Sequence, residues 1–218
     1  MRRNPFTEAD RDQIRAAVQQ AEGQTSGEIV PYFVDRSDDY DEGMWRAGLL
    51  GMGLATLALL ALREYFAIHQ EWLPFGLSVS LLIVLSSGVT GILLAFAFPR
   101  VRTTLAGAAL IERRVAARAL QAFVAEEVFS TRDRTGILIF LSLDERRVQV
   151  IGDSGINAKV RPEDWEGIVG TIVSHMKLGR AAEGLVLAIK ECGQLLGRKA
   201  VTIKPDDQNE LSDELRGG

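Results

Sequence analysis

Two apolar runs, Trp45 to Leu62 and Phe75 to Phe98, constrain this chain more than anything else in it: at about 18 and about 24 residues, each can span a bilayer's hydrocarbon core. The second, FGLSVSLLIVLSSGVTGILLAFAF, has no ionisable group. Its Ser and Thr hydroxyls can bond back to carbonyls of the preceding turn, so a helix there leaves few polar groups unsatisfied in lipid. The first has a single charge, Arg46, near its start, where a long side chain can snorkel to the interface. Between them, REYFAIHQEWLP sets Tyr65, Phe66 and Trp72 beside charges, the composition of an interfacial turn. The expectation is a transmembrane helical hairpin over residues 44–99, meeting lipid through residues 45–98. A buried helical pair in a soluble domain fits less well, because a core helix normally shows a polar face and Leu77 to Phe98 has only small hydroxyl residues. A signal peptide is not expected, since the apolar run begins only after about 45 residues. Gly48, Gly51 and Gly53 in the first run, with Ser86, Ser87, Gly88 and Gly91 in the second, offer small-residue faces for close packing or homo-oligomerisation.

Orientation follows from the basic residues. Arg36 and Arg46 precede the hairpin and Arg100, Arg102, Arg113 and Arg114 follow it, whereas the connecting loop holds only Arg63. The positive-inside rule then places both termini, and the domain they belong to, in the cytoplasm of a bacterial inner-membrane protein. The whole chain carries 25 Lys and Arg against 29 Asp and Glu, with no basic stripe, so nucleic-acid binding is not expected. Cys192 is the only cysteine, which excludes an intrachain disulfide and a thiolate metal cluster. His69 and His175 are the only histidines, too few for a multi-histidine metal centre.

Outside the hairpin, the pattern is that of one α/β domain. Asn4 to Asp10 reads as a helix start in which Thr7 caps and Asp10 completes the box, and Ile14, Ala17, Val18 and Ala21 then recur on one face. Glu28 to Val34, EIVPYFV, reads as a strand, with Pro31 pointing to an edge or a bulge. After the hairpin, Val115, Ala119, Leu120, Phe123 and Val128 mark a helix ending near Phe129. Gly136 to Leu143 and Val148 to Ile151, separated by Asp144 to Arg147, make a β-hairpin. Two helices follow, one from Pro162 with Ile168, Ile172 and Met176 inward, and one from about Arg180 to Gly197 with Leu185, Ile189, Cys192 and Leu196 inward. The polar stretch 201–218 has too little apolar content to fold alone and is expected to be disordered. The expected fold is a small mixed sheet sandwiched by helices, its first part in residues 1–43 and its second in residues 100–200, with the membrane hairpin inserted between.

Several segments of that domain resemble, in order, the TPM domain of thylakoid-lumen acid-phosphatase-like proteins and their bacterial relatives. They are Thr25 to Val30, Arg134 to Ile139, Gly152-Asp153-Ser154-Gly155-Ile156 and Lys177 to Leu185. The resemblance implies the sandwich fold, and for activity it implies either acid-phosphatase behaviour or a role in maintaining membrane complexes. Typical members carry the domain outside the cytoplasm, behind a signal peptide or a terminal span; here two spans fall between the first strand and the next helix.

A phosphatase needs a nucleophile or a metal-activated water, with cations for the phosphoryl oxygens. Cys192 lies on an apolar helix face with no Arg loop after it, and no Asp-x-Asp-x-Thr run is present. The remaining candidates are Asp144 at the β-hairpin turn, Asp153 between glycines and Glu28 at the head of the first strand, oxygen ligands that suit Ca2+ or Mg2+ rather than zinc. Asp153 is the best single candidate because its flanking glycines allow close approach; the alternative is a turn aspartate bonded to its own backbone. Asp144 and Asp153 fall at different ends of the β-hairpin, which argues against a shared ion. The acidic Asp38, Asp39, Asp41 and Glu42 lack the downstream acid of an EF-hand, and Arg134, Arg180 and His175 have ordinary surface pairing as an alternative to anion contact. Two functions remain: a non-catalytic membrane-anchored module that binds a membrane-protein partner, or a cation-dependent phosphatase built on Asp153.

Overall fold

The computed structural model describes residues 6–70, 72, 76–199, 201 and 209–218. Asn4 and Pro5, part of the hairpin loop (71 and 73–75) and 202–208 of the expected tail lie outside the described residues. The chain divides into two compact units, residues 1–37 with 113–218, and residues 38–112.

The first unit is a four-stranded mixed sheet with helices on both faces. Helix α1 (Glu8–Glu22) opens with the expected box: Thr7 Oγ1 accepts the Asp10 N–H at 3.2 Å and Asp10 Oδ2 accepts the Thr7 N–H at 2.8 Å. Strand β1 (Glu28–Val34) runs parallel to β2 (Gly136–Ser142), which pairs antiparallel with β3 (Arg147–Gly152). All seven residues of β2 are buried, as its unbroken GILIFLS run requires of a strand covered on both faces. Ile29, Ile137, Ile139 and Leu141 enter one core with α1, α7 (Glu166–Lys177) and α8 (Ala181–Arg198), where Ile172, Leu185, Ile189 and Leu196 are buried on the predicted stripes. Val30, Tyr32, Leu138 and Phe140 fill the other face, Tyr32 stacked on Phe140 with ring centroids 5.9 Å apart. Helix α5 (Ala108–Ala125) covers that face: it buries Val115, Ala119 and Phe123, and the Tyr32 hydroxyl feels the charges of Arg118 and Glu126.

Three expectations change here. The helix expected to run to Phe129 ends at Ala125, and Val128 O is instead pressed so close to Gly136 that a Cβ there would collide with it. The stretch expected to be a disordered tail ends in β4 (Arg216–Gly217), parallel to β1 through Tyr32↔Arg216 and Phe33↔Gly217, with Leu215 buried in the core. Its composition cannot support an independent fold, but it does not need to: it borrows the open edge of a sheet that already exists. The sheet order is therefore β3-β2-β1-β4, and Pro31 sits in an inner strand. Strand β1 directs Glu28 N–H and Val34 O toward β2 and Phe33 O toward Gly218 N, so by alternation Pro31 faces the β4 side, where β4 pairs only from Tyr32 onward. At the far ends of β1 and β2, the Ser37 hydroxyl donates to Ser142 Oγ (2.6 Å) and Ser142 donates to Glu145 Oε2 (2.5 Å), a clamp between the strands and their turn.

The second unit holds α2 (Asp41–Ile68), α3 (Leu77–Ala97) and α4 (Pro99–Ala106). Helices α2 and α3 are both long and apolar enough to cross a membrane, and only 11% of each apolar window is buried. Some of the small residues pack the two helices closely: a Cβ on Gly51 would lie 2.6 Å from Ser87 O, and one on Gly91 would strike Ala47 O, whereas Gly53, expected on the same face, meets nothing within 4 Å. The helical run breaks at Phe98-Pro99 and at Gly107 (φ 85°), isolating α4. Arg46 of α2 closes its end by donating to Leu105 O (2.8 Å) and Ala106 O (2.5 Å), a hydrogen-bonding use of the charge expected to snorkel.

Candidate functional site

Glu28, Gly136 and Asp153 lie side by side across three strands: Glu28 pairs with Gly136, whose carbonyl accepts the Asp153 N–H at 2.9 Å. Asp153 is buried, and it caps α6 (Ser154–Asn157) through Oδ1, which accepts the Ser154 N–H at 2.6 Å. Arg134 grips the same carboxylate, Nη2 donating to Oδ1 at 3.0 Å and Nε lying 2.6 Å from Oδ2. Arg134 holds a left-handed backbone (φ 59°), and its carbonyl receives the Gly155 N–H. The glycines serve this fold-back directly: a Cβ on Gly155 would strike the carbonyls of Asp133 and Arg134, and one on Gly152 would come 2.8 Å from Ile156. Asp153 thus bonds the backbone that follows it and pairs with Arg134. Which arginine would hold it carries no sequence signal, because the two are 19 positions apart and meet only across the sheet end.

Asp144 lies at the opposite end, in the β2–β3 turn, its N–H bonded to Asp35 O at 2.9 Å. Glu28 turns to a third neighbourhood, its two oxygens facing the N–H groups of Glu210 and Leu211 at 3.4 Å each. The named carboxylates therefore do not form one ligand set for Ca2+ or Mg2+, and among the described residues no group of three or more His, Cys, Asp or Glu is arranged to hold a metal ion. His175 Nδ1 lies 2.8 Å from Thr171 O within its own helix, and Asp41 lies 3.8 Å from Arg102. Cys192 is fully buried, and that burial pushes its thiol up to about 12, which makes it inert.

Two features carried no signal in the sequence. One is a cleft of about 420 Å³ at the Asp144 end of the sheet, lined among others by Leu143, Met176, Arg146, Arg180, Asp10 and Glu183. Of its lining residues only Arg180 was weighed as an anion contact from sequence; Arg146 lies in a turn at φ 51°. The other lies beside Glu28, where Glu22, Glu28 and Asp213 converge from α1, β1 and the C-terminal segment. Glu22 is pushed up to about 8, first by burial and then by the charges of Glu28 and Asp213, although the Ile29 N–H it accepts at 2.8 Å works the other way. Glu22 follows the last inward position of α1, and Asp213 sits in a stretch with no periodicity, so neither announces a partner.

No curated protein matches the chain. A solved structure does: BA42 protein from the psychrophilic bacterium Bizionia argentinensis, by NMR, 19% identical, with 98% of this chain and 95% of that one covered at a TM-score of 0.58. That likeness shows a shared fold. The family model for the TPM domain matches residues 101–195, from α4 through β2, β3 and α7 into α8, and leaves out the first strand with Glu28. Residues 101–195 are therefore a TPM-domain region within a fold shared with that bacterial protein.

Proposed function

We propose that this chain is an integral membrane protein whose α2 and α3 cross the bilayer as a hairpin, and whose TPM-like unit is a non-catalytic module that binds a membrane-protein partner from the cytoplasmic side. The observation that carries the membrane half is the exposure of apolar side chains around both helices: Leu54, Leu57, Leu82 and Leu93 are each more than half exposed. A soluble chain rarely leaves such a continuous apolar surface in water. The arginines flanking the hairpin support both termini on the cytoplasmic side. The binding half is supported by Asp153 being committed to Arg134 and by the scattered carboxylates. Alkaline extraction of membranes from expressing cells tests insertion: the chain should stay in the membrane pellet, and release into the supernatant would overturn the reading. Orientation is read by placing a cysteine at Trp72. An impermeant maleimide should label it from outside intact cells, while buried Cys192 stays silent.

One observation favours the hydrolase reading: Arg146 and Arg180 line the cleft, cations of the type that hold phosphoryl oxygens. Phosphate-ester hydrolysis by the purified chain, with and without Ca2+ or Mg2+, compares wild type with Arg146→Ala and Asp153→Ala. Cation-dependent turnover lost in the Arg146 variant would establish that reading, and equal rates in all three would dismiss it.

A further inference from the structure

The last ten residues hold to the sheet by an unusual set of contacts. Only two of them pair with β1, and Gly218 N–H adds a bond to Phe33 O at 3.2 Å. Leu215 fills a socket in the core and its carbonyl accepts from Arg11 Nη1 at 3.1 Å. Arg216 reaches Glu126 at 3.1 Å, and Glu214 meets Arg15 at 2.9 Å. Against these favourable contacts stands Asp213, buried, held by Asn209 Nδ2 at 2.6 Å and near enough to Glu22 for the two carboxyl groups to share a proton. Two carboxyl groups can share a hydrogen bond only while one of them keeps its proton. The charged groups bearing on Glu22 are Glu28 on β1 and Asp213 on the segment, both acidic. The bond is therefore lost, and repulsion gained, when Glu22 ionises.

We propose that the outer edge of β1 is a strand-addition site for an extended partner segment, and that residues 209–218 are its built-in occupant, latched where the buried Asp213 meets Glu22. The segment itself displays the chemistry that fits: a leucine for the socket, a basic residue one position on for Glu126, then a small residue where Gly217 lies against the Phe33 ring. A partner segment with that pattern and without an acid at the Asp213 position takes the edge when the latch opens, gaining main-chain bonds from the strand and specificity from the socket. This deepens the binding-module reading, on which it rests, by naming the face that binds.

Hydrogen exchange on the full chain in detergent, corrected for intrinsic pH dependence, reads the latch. Between about pH 6.5 and about pH 9, protection at Phe33 and Gly218 should fall at least about tenfold while Leu138 in β2 stays protected. Glu22→Gln and Asp213→Asn, which keep a hydrogen bond without the second charge, should hold the segment closed at both pH values. A labelled peptide with the sequence of residues 209–218 carrying Asp213→Asn should bind wild type about tenfold more tightly at the higher pH, and Glu22→Gln at neither. Equal protection of wild type at both pH values overturns the latch, and a peptide affinity indifferent to pH overturns the strand-addition site. Neither result bears on membrane insertion, which extraction reads separately.

Discussion

Glu22 is a carboxyl group that folding pushes up from an ordinary 4.5 to about 8, so the folded chain keeps a proton that the unfolded chain has given up. Stability at this residue is fully present below about pH 4.5, declines by at most about 1.4 kcal/mol per pH unit between the two values, and levels off above about 8. Glu22→Gln should remove that decline, so its denaturation midpoint should exceed wild type's at pH 8 to 9 and approach it in acid. Asp153 is buried and ionically paired, while its partner Arg134 is about half exposed and partly screened. Asp153→Ala deletes the ion pair and the α6 cap together and should cost about 2 kcal/mol in urea denaturation, and Asp153→Asn about half that. The residue was legible as special because glycines bracket it. That it meets Arg134 was not, since a glycine needed for backbone approach looks the same in sequence whether the approaching group is a ligand or the chain itself.

The elements divide by how they were specified. Helices α1, α7 and α8 bury the residues their periodicity marks, because an amphipathic stripe states its own inward face. Strand β2 likewise declares two-sided burial by its unbroken apolar run. Its tightest contact is invisible beforehand: Gly136→Ala places a methyl group against Val128 O and should cost more than about 3 kcal/mol, readable as a lost thermal transition or insoluble expression, because backbone rather than a movable side chain blocks it. Gly91→Val, whose Cβ would strike Ala47 O, should separate α2 from α3 and lower the thermal stability of the detergent-solubilised chain, while Gly53→Val, which meets open space, should leave it unchanged. Strand β4 escaped the periodicity reading altogether. Two residues cannot display a period, and what fixes them is an edge contributed by residues some 180 positions earlier.

At the scale of the molecule, two compact units are assembled from three stretches of sequence, and the one built from residues 1–37 and 113–218 closes across the insertion through β1 and β2. A helical hairpin returns the chain to the side it left, so insertion leaves the parallel pairing of β1 with β2 achievable. Removal of residues 44–99 with a short flexible linker in their place should yield a chain that dissolves without detergent and keeps a sheet-and-helix circular dichroism spectrum; persistent insolubility would locate the apolar liability outside α2 and α3. Composition and periodicity alone determined the α/β class, the two apolar helices, the capping box, the β2–β3 hairpin and the inward faces of the helices, because each is encoded by neighbours within a few turns of chain. Only the tertiary structure decided that β1 lies inside the sheet, that Asp153 belongs to Arg134, that Arg146 and Arg180 line one cleft and that the C-terminal segment docks beside Glu22, because each depends on groups that are far apart in sequence and are brought together by the packing of the sheet.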